Sequence, residues 1–333
     1  MEVLDWGAEV VTPALRKSVD SLPESMRRIA AYHFGWCDEQ GRPTTETAGK
    51  LLRPTLALLA AQAVGGAADA GLPAAVAVQL VHDFSLLHDD VIDGDTTRRH
   101  RPTAWHVFGV SSAILVGDAL LTLAFDVLAA SGHPAARQCV RSLGTAVQEL
   151  IDGQSADVSF ERRDDVGLGE CVRMAEGKTA ALLGRSCALG AAFGGGDAAQ
   201  VAGYRRFGER LGLAFQLVDD LLGIWGDPAV TGKSVHTDLA SRKKSLPVVA
   251  ALTSGTPAGD ELAAVYHRPE PLRAGQLPHL ADLVDRAGGR AWATARADEE
   301  LTAALHHLAG TNPDPEITTS LIAIAHLVTR RDH

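Results

Sequence analysis

Two short acidic runs carry residue types and spacings suited to chemistry. The first is His88-Asp89-Asp90-Val91-Ile92-Asp93-Gly94-Asp95. On a helix, Asp89 and Asp93 lie one turn apart and share a face. Ser85 and His82 continue that face toward the N-terminus, so an otherwise apolar helix carries one polar stripe ending in carboxylates. Leaving such groups buried and unpaired is costly, and a stripe of this kind normally lines a polar cavity. Carboxylates one turn apart suit Mg²⁺, a hard cation that keeps several waters and completes its shell with substrate phosphates. Standing alone, the run would serve equally as a solvated acidic helix end.

The residues that follow favour the metal reading. Arg98 and Arg99 lie in the loop just beyond, within Asp95-Thr96-Thr97-Arg98-Arg99-His100-Arg101-Pro102, and guanidinium forks match phosphate oxygens. Acids for a cation and arginines for phosphate, side by side, describe a metal–diphosphate site; an internal salt-bridge network is the other reading, above all for Arg101. The second run is Gln216-Leu217-Val218-Asp219-Asp220-Leu221-Leu222-Gly223, in which Gln216 and Asp219 share a helical face. Two such helices facing each other could hold Mg²⁺ ions bridged by a diphosphate. Lys50 and Arg53 open an apolar helix, while Lys178 and Lys233 each follow a glycine. Arg242-Lys243-Lys244 is either a closing lid or a solvated surface.

The elements that must position these groups read as helices. Ala77, Leu80, Val81, Phe84, Leu87 and Val91 repeat with helical rhythm, as do Tyr204, Phe207, Leu211, Phe215, Val218, Leu222 and Trp225. Strand alternation is nearly absent, and short Gly/Pro loops separate the periodic segments. The reading is a single all-α domain over 1–333. Of 333 residues, 46% are hydrophobic and 5% aromatic, and the net charge of −10 argues against a nucleic-acid partner. The most membrane-like stretch, Ala113 to Ala130, is interrupted by Asp118 and Asp126 and reads as a buried core helix rather than an anchor. The N-terminus has no signal-peptide pattern. Four cysteines without zinc-like or disulfide spacing fit a reduced, cytoplasmic protein.

Taken together, these segments resemble the trans-isoprenyl diphosphate synthases, the polyprenyl synthetase family. The match runs through GKLLRP at 49–54, LLHDDVIDGDTTRRHRPT at 86–103, GDALL at 117–121, GQSAD at 153–157, EGKTAALL at 176–183, FQLVDDLLGIWGD at 215–227 and TGKSVHTDLASRKKSLP at 231–247. The resemblance implies a homodimer of antiparallel helical bundles around a deep central cavity, the isoprenoid synthase type. It implies that an allylic diphosphate ionises with a three-Mg²⁺ cluster and is attacked by isopentenyl diphosphate. Carried over by position, Asp89 and Asp93 would ligate two ions and Asp219 the third, with Asp90 and Asp220 assisting. Arg98, Lys178 and Lys233 would contact the allylic diphosphate. Lys50, Arg53, His82 and Arg99 would hold isopentenyl diphosphate, and Thr179 and Gln216 would position the reacting carbons. The C-terminal Arg330-Arg331 is either a cap over the diphosphates or an exposed tail.

Departures from the family pattern are specific. Gly223 stands where many members carry a third aspartate, and Asp227 lies about 12 Å further along the helix, too far to replace it. Ala48 replaces a glycine of the first basic motif, and Leu51 a polar residue. In this family, residues four and five before the first motif set product length. Here Ser85 lies below Asp89, while Phe84 points about 140° away. Small Ser85 leaves the channel open past C15, so geranylgeranyl diphosphate (C20) is the expected product and farnesyl diphosphate (C15) the alternative. A class I terpene cyclase fits poorly, with Val218 and Leu222 where its second motif needs Asn and Ser. A non-catalytic synthase subunit would be expected to lose the aspartates present here, and a metal phosphohydrolase would need histidines beyond His82.

Overall fold

The computed structural model describes residues 2–44, 51–67, 69–227, 236–268, 270 and 272–329. Lys50, Lys233 and Arg330-Arg331, all singled out by the sequence, lie outside these residues. The chain has the all-α architecture. Its helices begin α1 (Glu2–Val19), α2 (Glu24–His33), α3 (Leu52–Ala63), α4 (Leu72–Asp93), α5 (Ala104–Phe108), α6 (Val110–Ala130), α7 (Ala136–Phe160), α8 (Leu168–Ala175), α9 (Ala181–Phe193) and α10 (Ala198–Trp225). Shorter helices follow, and then the longer Gly289–Ala309 and Pro315–Thr329. A hairpin of β1 (Thr97–Arg98) and antiparallel β2 (Arg101–Pro102) interrupts them.

The chain divides into two compact units, each discontinuous in sequence. The first contains Met1–Val147, Arg185–Arg205 and Thr311–Leu321. In it α4 packs against α3 and α6, and Ala74 to Val81 are buried on every side of the helix. Pro73 starts α4, where its missing amide costs nothing. Gly94 ends it in the left-handed conformation at φ 69°, its amide returning to the Asp90 carbonyl.

α6 departs from the core helix expected of its composition. Ala113, Val116, Gly117, Leu120, Ala124 and Leu128 are buried, but Val110, Ile114 and Leu115 are exposed. Summed hydropathy counts the whole circumference of a helix and cannot tell which side faces the core. Among the described residues α6 is also the one helix long and apolar enough to cross a membrane, by length and composition only.

The second unit contains Gln148–Gly184, Arg206–Gly310 and Ile322–His333. One of its cores gathers Phe160, Cys171, Met174, Leu213, Leu217, Leu221, Leu246 and Val249. Buried Glu300 receives Arg210 at 3.0 Å and Arg296 at 2.6 Å, joining α10 to the helix Gly289–Ala309 by a paired, desolvated charge. The four cysteines are buried free thiols.

Candidate active site

In the first unit, the acidic run forms the last turns of α4, at the negative end of the helix dipole, where carboxylates are destabilised and cations welcomed. Asp89 is half-buried and Asp93 exposed, whereas Asp90 turns inward and is 1% exposed. Arg98 Nε and Nη2 both lie 2.7 Å from Asp90 Oδ1. Burial pushes the Asp90 carboxyl up and Arg98 opposes it. Asp90 Oδ2 is buried with no hydrogen-bond partner among the described residues.

Arg98 is held there by the hairpin. Arg99 and His100 form its two-residue turn, both left-handed at φ 52° and 62°. Asn and Gly are the usual occupants of such a turn, so side chains with a full Cβ are strained here. The turn leaves Arg99 exposed beside Arg98. Arg101 points the other way. It donates to the carbonyls of Tyr32 (3.2 Å) and Cys37 (2.9 Å), a structural tie to the backbone in and just after α2. Asp90, Arg98 and Arg99 line a cavity of about 860 Å³ within this unit, together with Tyr32, His33 and Leu51.

Behind the arginines lies a buried acid that the sequence did not reveal. Asp83, 1% exposed, accepts from Gln79 at 2.6 Å and contacts His33 at 3.2 Å. Loss of water draws Arg53 down to about 10, and the charge of Asp83 opposes that shift. Arg53 Nη1 sits 3.4 Å from His82 Nε2. Desolvation first, then Arg53, Arg99 and Arg98, hold His82 well below the usual histidine range, so its Nε2 serves as a neutral acceptor. On the remaining faces of α4, Ser85 turns its hydroxyl back to the His82 carbonyl at 2.7 Å. Phe84 is buried and meets the His88 ring edge-on at 4.8 Å.

In the second unit, Lys178 and Thr179 lie in a π-helical turn, Glu176–Ala180, between α8 and α9. Such wide turns concentrate at functional positions, and no local sequence rule anticipates this one. It is built on glycine contacts. A Cβ on Gly153 of α7 would collide with the Lys178 amide, and one on Gly177 would lie 2.6 Å from the Glu149 carbonyl. Lys178 Nζ donates to Asp157 Oδ2 at 2.6 Å, which gives the Gly153–Asp157 motif its second role.

Thr179 Oγ1 donates to Gln216 Oε1 at 2.6 Å, and Gln216 Nε2 donates to Asp220 Oδ1 at 2.8 Å. Gln216 therefore serves Asp220, four residues on, rather than Asp219. The Leu246 amide reaches Asp220 Oδ2 at 2.9 Å, and Lys243 Nζ stands 3.8 Å from Oδ1. Burial pushes the Asp220 carboxyl up to about 6, with Lys243 opposing. Burial works to lower Lys243, but Asp220 and Asp238 outweigh it and hold the ammonium above its usual range. Asp219 is exposed on α10, and Asp227 falls beyond the end of that helix.

Each acidic run is thus arranged alike, with one aspartate buried and clamped and the others half-buried or exposed. Among the described residues no three His, Cys, Asp or Glu side chains form a ready metal cage. Outward carboxylates and the unsatisfied Asp90 Oδ2 fit a hydrated divalent cation whose shell is completed by substrate oxygens.

Comparison with known proteins agrees with this geometry. Residues 35–282 match the family model described as polyprenyl synthetase. A (2E,6E)-farnesyl diphosphate synthase of Mycobacterium bovis is 43% identical, the alignment covering 99% of this chain and 93% of the relative. A geranylgeranyl diphosphate synthase of Mycobacterium tuberculosis is 45% identical, covering 96% and 91%. The crystal structure of a polyprenyl synthetase from Streptomyces coelicolor A3(2) superposes with a TM-score of 0.94 at 45% identity, covering 98% of both chains. A match over most of the chain, with both acidic runs and the basic residues inside it, makes this protein a member of the polyprenyl synthetase family, a prenyltransferase of the all-α isoprenoid synthase fold.

Proposed function

We propose that the protein lengthens an allylic diphosphate by head-to-tail, trans condensation with isopentenyl diphosphate, giving geranylgeranyl diphosphate. The observation that carries this reading is the repeated arrangement of outward aspartates beside a clamped one, each with cationic groups close by. Asp89 and Asp93 hold two Mg²⁺ ions and Asp219 the third. When bound, these ions neutralise the charge developing on the departing diphosphate. Arg98 steadies Asp90 and keeps Nη1 for a phosphate oxygen, while Asp157 holds the ammonium of Lys178 in place. Lys233 joins them on the allylic diphosphate. Lys50, Arg53 and Arg99 hold the diphosphate of isopentenyl diphosphate, with neutral His82 orienting Arg53. Thr179 and Gln216 set the reacting carbons.

For product length, the support is Ser85, whose small side chain folds back on its own helix. Phe84 is buried against His88 and is the candidate floor further down. Relatives named for farnesyl and for geranylgeranyl diphosphate are about equally similar, so farnesyl diphosphate is the second reading. A homodimer is part of the proposal. The exposed Val110, Ile114 and Leu115 of α6 form an apolar strip that a second copy would cover.

The test is incubation of purified protein with isopentenyl diphosphate, Mg²⁺ and, separately, dimethylallyl, geranyl or farnesyl diphosphate, followed by sizing of the dephosphorylated alcohols. A dominant C20 alcohol is expected. A C15 stop keeps the reaction and overturns the length. A cyclic hydrocarbon formed without isopentenyl diphosphate overturns the reaction.

A further inference from the structure

Gly223 stands one helical turn after Asp219 on α10, so a side chain there would share Asp219's face. That place is already taken. A Cβ built on Gly223 would lie 2.5 Å from Oδ2, 2.6 Å from Cγ and 2.9 Å from Oδ1 of Asp238. The Asp238 carboxylate arrives from the short helix Thr237–Ala240 and is 16% exposed at its side chain. Its own backbone carbonyl accepts the Lys243 amide at 2.9 Å. Lys243 Nζ then stands 3.8 Å from Asp238 Oδ2 and 3.8 Å from Asp220 Oδ1, an ammonium shared between two carboxylates.

We propose that Asp238 is a positioning residue for the second aspartate pair, seated against Gly223 and acting through Lys243 on Asp220, so that Asp219 projects outward. Gly223 is then the seat that admits a carboxylate from another segment, and not a lost ligand. Two carboxylates cannot both occupy that space. An aspartate added at 223 displaces Asp238, releases Lys243 from one of its partners and weakens cation binding instead of strengthening it.

This rests on reading Asp219 as an ion ligand, and the experiment separates the two claims. Mg²⁺ is titrated against thermal midpoint in the presence of methylenediphosphonate, a diphosphate analogue that cannot react. The proteins are the native chain, Asp219→Asn, Asp238→Asn, Gly223→Asp, and Gly223→Asp combined with Asp238→Ala. Asp238→Asn and Gly223→Asp are each expected to raise the Mg²⁺ midpoint about tenfold, the usual effect of losing a group that orients a metal ligand. The combined variant moves the carboxylate from 238 to 223 and is expected to recover most of that loss. An unchanged midpoint for Asp238→Asn, tighter binding by Gly223→Asp, or no recovery in the combined variant overturns the proposal. Asp238→Asn is nearly isosteric, so the proposal stays testable if the Gly223 variants fail to fold. If Asp219→Asn leaves the midpoint unchanged, the ligand reading itself fails; if it alone shifts the midpoint, only the role of Asp238 does.

Discussion

His82 shows how the surroundings of one side chain can tie it to stability. It lies against Arg53 with two more arginines nearby, and it stays neutral in the fold. In the unfolded chain it titrates near 6.5. Below about pH 6.5 the unfolded state takes up a proton that the folded state refuses. The stability this residue contributes is therefore whole above that pH and is lost on acidification, at up to about 1.4 kcal/mol per pH unit. Urea unfolding between pH 7 and 5 should show a shallower loss for His82→Asn, which keeps an acceptor for Arg53 but cannot titrate. Equal slopes for the two proteins would count against a neutral His82.

At the scale of elements, backbone constraints place the cationic groups. The β1–β2 turn holds Arg99 and His100 in left-handed geometry, at about 1–2 kcal/mol each. His100→Gly should raise stability by about 0.5–1 kcal/mol in chemical denaturation after the extra chain entropy of glycine is counted. A destabilised variant would mean that the His100 side chain makes contacts that outweigh the strain. The π turn bearing Lys178 depends on Gly153 in the same way. Gly153→Ala would press a methyl on the Lys178 amide and, at 2.9 Å, on the Met174 carbonyl. Backbone cannot yield as a side chain can, so a loss of about 1–3 kcal/mol is expected. Gly144, also in α7, meets nothing nearer than Phe125 Cε1 at 3.8 Å. Gly144→Ala should be stabilising by up to about 1 kcal/mol, since only helix propensity changes. If both alanines behaved alike in chemical denaturation, the close packing of the π turn would not be what glycine at 153 serves.

At the scale of the whole molecule, α6 carries three of the exposed large apolar side chains found among the described residues. Val110, Ile114 and Leu115 are 45%, 38% and 55% exposed, and exposed side chains of this size in a row mark an interaction surface. Light scattering after size exclusion should give twice the 35.0 kDa chain mass for the native protein. Leu115→Glu, with Ile114→Glu if one charge is not enough, should shift it toward the single-chain mass. A native protein that runs at 35.0 kDa at high concentration would end the homodimer proposal.

The sequence by itself determined which residues are candidates for the chemistry. Asp89 and Asp93 one turn apart, with Arg98 and Arg99 a few residues on, are local relations, and local spacing survives folding because a helix converts it directly into a shared face. For the same reason α4 and α10 were legible from their apolar periodicity. What only the tertiary structure decided is which groups hold the aspartates. Gln216 pairs with Asp220 and leaves Asp219 outward, because the amide of Leu246 and the ammonium of Lys243 meet the helix on that side. Asp83 beneath Arg53, Asp157 on Lys178 and Asp238 against Gly223 are partners brought together by packing. Nothing in the local run of residues records a contact made across 15 to 30 positions. Burial decides it, since a charge taken out of water must find its counterpart wherever the fold supplies one.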